Sequence, residues 1–164
     1  MAKNISGIKI WHEIIKELNK ARARYVLVGA AALVVHGLPR STLDLDIYIP
    51  AKKNSIDKLL KIAGVLGLQS EQKAIFTIRH SPKLFAGQWI CFSYKGQDIL
   101  DVFFADKNDF DGLYKNSELK KDKKISIRVA SLEDIAAMKK ASGRPIDLSD
   151  LELIKELKNR VGGF

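Results

Sequence analysis

The stretch that decides the fold runs from Tyr25 to Pro50 and reads YVLVGAAALVVHGLPRSTLDLDIYIP. Its first five residues, Tyr25–Gly29, predict a short buried strand, because they are apolar up to a glycine. Small apolar residues then predict a helix over Ala30–His36 that ends at Gly37 as its cap. Alternation of apolar and polar residues over Leu43–Ile49 predicts a second strand, which stops at the proline.

The second predicted strand carries two aspartates on one face. Side chains at positions i and i+2 of a strand point the same way, so Asp44, Asp46 and Tyr48 lie together. Two like charges at this spacing repel each other, and aspartate is a poor strand former. A divalent cation would compensate, and a set of oxygen ligands suits Mg²⁺ or Mn²⁺. The alternative is an edge strand whose aspartates face solvent. The opposite, apolar face holds Leu43, Leu45, Ile47 and Ile49.

A third carboxylate, Asp101, lies inside one of the most apolar runs of the chain, Ile99–Phe104. Burial of an unpaired carboxylate is costly, so Asp101 needs a partner, which is either a Lys or Arg or a shared metal ion. Asp98 is predicted to lie on the opposite face, since it is three positions away. Asp101 together with Asp44 and Asp46 would form a two-metal carboxylate site, the kind that serves phosphoryl and nucleotidyl transfer.

The rest of the chain mixes helices and strands without regular alternation. We therefore predict an α+β fold, with a mixed β-sheet and helices packed mainly on one face, in a single domain over residues 1–164. The C-terminal helices, about 131–160, are expected to pack on that domain. Ser131 and Asp134 resemble a capping box at the first of them. Periodicity predicts further helices over Ile8–Ala21 and Ser55–Leu68, and strands over Lys73–Arg79, Gln88–Tyr94, Asp98–Phe104 and Ile125–Val129, with a turn at Lys95-Gly96.

Composition limits the class of protein. The 46% hydrophobic and 29% charged residues are typical of a globular chain and argue against disorder. No apolar run reaches ~18 residues, so we expect no membrane span. The first residues lack the apolar core of a secretion signal, and a lone cysteine, Cys91, cannot form an internal disulfide. We therefore expect a cytoplasmic protein that has no membrane partner.

Net charge points to an anionic partner. Lys and Arg total 28 against 19 Asp and Glu, which gives a formal charge of +9 and a pI near 9.6. Such a surplus attracts nucleic acid, nucleotide phosphates or an acidic protein. A lysine-coated surface without a specific partner is the other interpretation.

These residues together resemble the DNA polymerase β-like nucleotidyltransferase superfamily. The resemblance rests on three motifs: a strand ending in Gly29-Ala30, the run Arg40-Ser-Thr-Leu-Asp44-Leu-Asp46, and Leu100-Asp101-Val. The tail from Lys139 through Gly143-Arg144-Pro to Asp147 and Asp150 looks most like small stand-alone members, the relatives of abortive-infection toxin and antibiotic-modifying nucleotidyltransferases. The resemblance spans roughly residues 23–155. Ala30 departs from the pattern, because it stands where a second glycine or a serine is usual and offers only its backbone amide.

The resemblance implies a nucleotidyltransferase that moves an NMP from an NTP to an acceptor hydroxyl. It implies that Asp44 and Asp46 hold two Mg²⁺ (or Mn²⁺) ions on the NTP phosphates, and that Asp101 binds the metal next to the acceptor. It also implies nucleotide contacts at Gly29, Ala30, Arg40, Thr42 and Lys139. Arg144 and Asp147 could instead pair with each other and cap the last helix.

Two questions stay open at this level. The acceptor is an RNA such as tRNA, a protein side chain or a small molecule. The alternative to an enzyme is a catalytically silent nucleotidyltransferase-like module that binds RNA or a partner protein, as in a toxin–antitoxin pair.

Overall fold

The computed structural model describes residues 7–42 and 44–162, so Leu43 of the predicted second strand lies outside the described residues. Helices alternate irregularly with six strands in this part of the chain. In chain order the elements are α1 (Gly7–Lys20), β1 (Val26–Val28), α2 (Gly29–Val35), β2 (Leu45–Pro50), α3 (Lys53–Leu66), α4 (Gln72–His80), a 3₁₀ turn (Pro82–Phe85), β3 (Trp89–Tyr94), β4 (Gln97–Ala105), α5 (Lys107–Asn116), β5 (Glu118–Asp122), β6 (Ile125–Val129), α6 (Leu132–Ser142) and α7 (Pro145–Gly162).

All six strands form one mixed sheet in the order β3-β4-β2-β1-β6-β5. β2 runs parallel to β4 and antiparallel to β1, and β1 runs parallel to β6. The predicted α+β class with a mixed sheet is confirmed. Because β2 is flanked by β1 and β4, its aspartate does not lie on an edge strand, and the edge-strand explanation fails for Asp46.

The two central strands have one apolar face and one mixed face. Leu45, Ile47 and Ile49 of β2 pair directly with Leu100, Val102 and Phe104 of β4, and all six are buried. On the other face, the half-buried Asp46 and Tyr48 pair with Asp101 and Phe103. The period-2 pattern of the sequence thus reports the real faces of both strands.

Tyr48 and Phe103 stack with their ring centroids 5.2 Å apart, which covers the mixed face next to the two aspartates.

One predicted strand is wrong. Lys73–Arg79 lies within the helix α4, in which the Thr77 hydroxyl donates to the Lys73 carbonyl one turn earlier, at 2.9 Å. The segment is rich in β-branched residues, but its buried residue, Ile78, and half-buried Ile75 are three apart, which is helical spacing.

Two elements, α5 and β5, have no counterpart in the sequence prediction. The helix α5 begins after Asp106, whose carboxylate accepts from the Asp109 amide at 2.8 Å as an N-cap. The apolar periodicity of the sequence gives no sign of such a cap. The strand β5 is charged and mostly exposed, so it carries no apolar periodicity, and its pairing with β6 creates it.

The hairpin prediction is confirmed at Lys95-Gly96, where both residues have positive φ, 52° and 80°. The helix start predicted at Ser131 is also confirmed, because its hydroxyl accepts from the Asp134 amide at 3.1 Å. No described helix combines the length and the apolar character that crossing a membrane requires.

Candidate active site

Two carboxylates face each other at the centre of the sheet. Asp46 and Asp101 are direct partners across the parallel strands β2 and β4, and their carboxyl groups are close enough to act on each other's ionisation. Burial raises the pKa of Asp46 to about 7, and the charge of Asp101 adds to the effect, while Lys139 opposes it. Like charges this close disfavour joint ionisation, so the Asp46 carboxyl group holds its proton to a higher pH than a free aspartate does.

The third predicted carboxylate, Asp44, lies just before β2 and is exposed. Its pKa is raised by partial burial and by the charges of Asp101 and Asp98. Thr42 fixes the approach to the strand, because its hydroxyl accepts from the Asp44 amide at 3.2 Å and lies 3.3 Å from the Asp44 carbonyl. In the structure Thr42 therefore serves a local turn.

The charges of the three aspartates raise the pKa values of Asp44 and Asp46, but the three side chains are not arranged as a metal site with three ligands. Within residues 7–42 and 44–162, no group of three or more His, Cys, Asp or Glu side chains is arranged to hold a metal ion. Asp46 and Asp101 are the close pair, and Asp44 stands outside it.

Gly29 presses its backbone against this pair. Its φ is +71°, and a Cβ added there would collide with Oδ2 of Asp46. Glycine is therefore required twice, by the left-handed backbone and by the close approach of the carboxylate. The helix α2 begins at Gly29, and Ala30 follows as its second residue, so the predicted turn lies directly beside Asp46.

The predicted cations Arg40 and Lys139 take part in a buried ion-pair network. Lys139 is 8% exposed, and its Nζ lies 2.8 Å from Asp150 Oδ2 and 3.5 Å from Asp147 Oδ1. Arg40 Nε lies 3.1 Å from the other oxygen of Asp150. This network joins α6 and α7 to the loop that leads into β2, and it brings the charge of Lys139 close enough to lower the pKa of Asp46.

Asp147 also holds Arg144, as one of the sequence interpretations suggested. Its carboxylate accepts from the Arg144 backbone amide at 3.1 Å and from the guanidinium Nε at 2.9 Å. The Arg144 hydrogen bonds hold the pKa of Asp147 well below its usual range. This pairing fixes Arg144 against the first turn of α7.

Sequence reasoning missed the role of Asp150. Asp147 and Asp150 are both 1% exposed and share the buried stripe of α7 with Ile154. Carboxylates at core positions of an amphipathic helix need cationic partners, and that i, i+3, i+7 pattern was the available signal.

The prediction for Asp98 is wrong, because β4 contains an irregularity. Phe92 pairs with Leu100 but Ser93 pairs with Asp98, so Ile99 is an extra residue that shifts the alternation. Asp98 consequently lies on the side of Asp101, and its charge acts on Asp44 and on Cys91. Burial raises the pKa of the Cys91 thiol to about 12, with Asp101 adding to the effect, so this cysteine stays protonated.

The residues at this point fit a divalent cation. The donors are carboxylate oxygens, which Mg²⁺ and Mn²⁺ prefer, and the paired carboxyl groups of Asp46 and Asp101 repel each other without a proton or a cation between them. Gly29 leaves room for the Asp46 carboxylate, because a Cβ at position 29 would collide with its Oδ2.

Comparison with known proteins gives a consistent family and fold. A family described as "Nucleotidyltransferase of unknown function (DUF6036)" matches residues 8–161. A nucleotidyltransferase structure from Thermotoga maritima is 14% identical, with a TM-score of 0.60 over 93% of this chain and 92% of that one. No curated protein sequence matches the chain.

Two further solved structures share the fold. ANT(2")-Ia, in complex with adenylyl-2"-tobramycin, is 14% identical, with a TM-score of 0.61 over 95% of this chain and 90% of its own. A nucleotidyltransferase-like antigenic protein from Paracoccidioides brasiliensis is also 14% identical, with a TM-score of 0.60 over 95% of this chain and 78% of its own. At this identity the likeness concerns the fold alone.

Proposed function

The chain belongs to the DUF6036 family of nucleotidyltransferases, and on that premise we propose that it transfers an NMP from an NTP to an acceptor hydroxyl. The observation that carries the proposal is the pairing of Asp46 with Asp101 across β2 and β4, against the backbone of Gly29. The proposed cofactor is Mg²⁺ or Mn²⁺, held by Asp46 and Asp101 with Asp44 joining them. When bound, such an ion neutralises phosphate charge and makes an acceptor hydroxyl more acidic.

Each residue of the site has a proposed task. The acceptor oxygen attacks the α-phosphorus, and the bond to the pyrophosphate bridging oxygen breaks. The Asp101 carboxylate takes the proton of the acceptor hydroxyl. It lies directly opposite Asp46 of β2. The backbone at Gly29 and Ala30 would approach the phosphates, because no side chain intervenes at the glycine.

The ion-pair network supplies positive charge beside the carboxylate pair. Three cations, Arg40, Lys139 and Arg144, meet two carboxylates there, Asp147 and Asp150, which leaves one net positive charge. We propose that Arg40 and Lys139 orient the NTP phosphates from positions that α7 fixes, with Thr42 holding the turn next to them. A pre-positioned cation needs little reorganisation when the phosphates arrive.

Metal-dependent nucleotide binding tests the proposal. ATP and CTP are titrated calorimetrically into the protein with Mg²⁺ and with EDTA, using wild type, Asp46→Asn and Asp101→Asn. Asp57→Asn, which removes an exposed carboxylate on α3, is the matched control. We expect Mg²⁺-dependent binding in wild type and control, and at least tenfold weaker binding in the two site variants. The catalytically silent alternative predicts no metal-dependent nucleotide binding in any of the four, and that result would reject the proposal.

A further inference from the structure

Four lysines from three separate segments of the chain meet at the end of the sheet away from Asp44. Lys52 and Lys53 follow the end of β2, Lys83 belongs to the 3₁₀ turn, and Lys107 follows the end of β4. All four are exposed. We call these four lysines the basic face.

The basic face is concave. One cavity of about 440 Å³ is lined by Lys52, Lys53 and Lys83 with His80 and Leu84. A second cavity of about 370 Å³ shares two of these lysines and adds Lys107 and Arg24 among its lining residues. The shared lysines make the two cavities neighbours along one continuous surface.

The charge of the basic face is not cancelled. None of its four lysines pairs with a carboxylate within 4.0 Å in the part of the chain that the structure describes. Two aspartates line the second cavity against four cations, Arg24 and three of the lysines, so 4 − 2 leaves a formal charge of +2 there. Asp111 Oδ1 lies 3.3 Å from Arg24, and Asp106 accepts the amide of α5 as its N-cap. A positive surface in a chain of net charge +9 attracts a polyanion.

Exposed aromatic rings stand beside the lysines. Phe76 is 63% exposed and stacks on His80 with the ring centroids 4.1 Å apart. His80 itself lines the first cavity, next to Leu84, which is 74% exposed. Cations that track a backbone, combined with rings on which bases stack, are the features by which proteins hold single strands. A polyphosphate or an acidic protein would use the lysines but not the rings.

We propose that the basic face binds single-stranded nucleic acid, with phosphates on the lysines and a base on the Phe76–His80 pair. This goes beyond the proposed nucleotidyl transfer and does not depend on it. Lys52, the first residue of the basic face, lies six residues after Asp46, which at about 3.3 Å per residue is at most roughly 20 Å.

The test is fluorescence anisotropy with a labelled 12-nucleotide RNA at several salt concentrations, starting at 50 mM. The variant Lys52→Glu/Lys83→Glu reverses two charges that both cavities share. Lys120→Glu/Lys121→Glu on β5, at the opposite edge of the sheet, changes the net charge equally and is the control. We expect at least tenfold weaker binding for the first variant and less than threefold for the control. The salt slope of the first should fall by roughly 1.4, about 0.7 for each lost phosphate contact.

A second variant tests the aromatic contact. Phe76→Ala should weaken RNA binding at least fivefold and leave binding of inorganic polyphosphate unchanged, because only a base loses its stacking partner. Equal losses in the two charge variants, no RNA binding by wild type at 50 mM salt, or tighter binding to vesicles of phosphatidylcholine and phosphatidylserine than to RNA would each overturn the proposal. Asp46→Asn should keep full RNA affinity, and the Lys52/Lys83 variant should keep metal-dependent ATP binding, so the two proposals fail separately.

Discussion

Asp46→Asn should stabilise the metal-free protein, and only above about pH 4. In the folded protein burial and the Asp101 charge raise the pKa of Asp46 from 3.8 to about 7, so the folded state keeps a proton that the unfolded chain releases. The contribution of protonated Asp46 to the free energy of unfolding is therefore fully present below about pH 4, and it is lost as the pH rises toward 7. Asparagine carries no charge, and its amide can still donate to Asp101.

The magnitude follows from the size of that change. Moving a pKa from 3.8 to about 7 corresponds to roughly 4 kcal/mol of unfavourable free energy in the ionised state. With an unfolding slope of about 2 kcal/mol per molar urea, the midpoint of Asp46→Asn should shift upward by about 2 M at pH 8. At pH 4 the two proteins should unfold within about 0.3 M of each other, since both side chains are then neutral.

The assay is urea unfolding followed by circular dichroism in EDTA, at pH 4 and at pH 8. Asp57→Asn serves as the control and should not move the midpoint at either pH, because its carboxylate is exposed. Asp101→Asn should give a smaller gain at pH 8, because it removes the repulsion but leaves Asp46 buried, and the double variant should gain less than the sum of the two single variants. A loss of stability for Asp46→Asn at pH 8 would refute the reasoning and would make Asp46 the ion-pair partner of Lys139.

Three further outcomes follow from the site's geometry. Gly29→Ala should lower the free energy of unfolding in urea by about 2–4 kcal/mol. The control Gly37→Ala should lower it by only about 1–2 kcal/mol, because Gly37 also has a positive φ but no atom lies within 4 Å of an added Cβ. Equal losses would contradict the close approach at position 29. Asp150→Asn should lower thermal stability by the equivalent of about 2–4 kcal/mol, because it leaves a buried lysine short of a partner; an unchanged melting temperature would show that the network is not needed. Arg144→Ala should lower the urea midpoint at pH 7 and lower it progressively less below pH 4, because the stability that comes from the lowered pKa of Asp147 is lost as the pH falls toward that pKa. A difference of the same size at pH 7 and pH 2 would point to packing rather than charge.

Alternation along the strands was enough to separate the polar face of β2 from its apolar face and to single out Asp101 within an apolar run. Which strands are neighbours was a hypothesis that alternation does not supply, and the structure pairs Asp46 with Asp101 directly. The mixed sheet followed from the irregular order of helices and strands and from the hairpin signal at Lys95-Gly96.

Local irregularity and long-range pairing account for what the sequence could not supply. The extra residue Ile99 places Asp98 on the face opposite to the one that strict alternation predicts. In the sequence this irregularity is visible as two adjacent apolar residues, Ile99 and Leu100, which are both buried. The apolar residues of Lys73–Arg79 fit both the strand period of 2 and the helix period of 3.6 over so short a length, and the segment packs as a helix. The basic face could not be inferred, because its lysines come from three segments spread over the stretch from Lys52 to Lys107.

The measurement that tests the central claim most directly follows the two ends of the NTP separately. ATP and CTP labelled either at the α-phosphate or at the γ-phosphate are incubated with the protein, Mg²⁺ and a mixture of cellular RNA, proteins and small metabolites. The account predicts that α-label enters an acceptor, that γ-label leaves as pyrophosphate, and that both events disappear with Asp46→Asn or Asp101→Asn but persist with Asp57→Asn. Transfer of the γ-label, or α-label transfer that survives loss of either paired carboxylate, would contradict it.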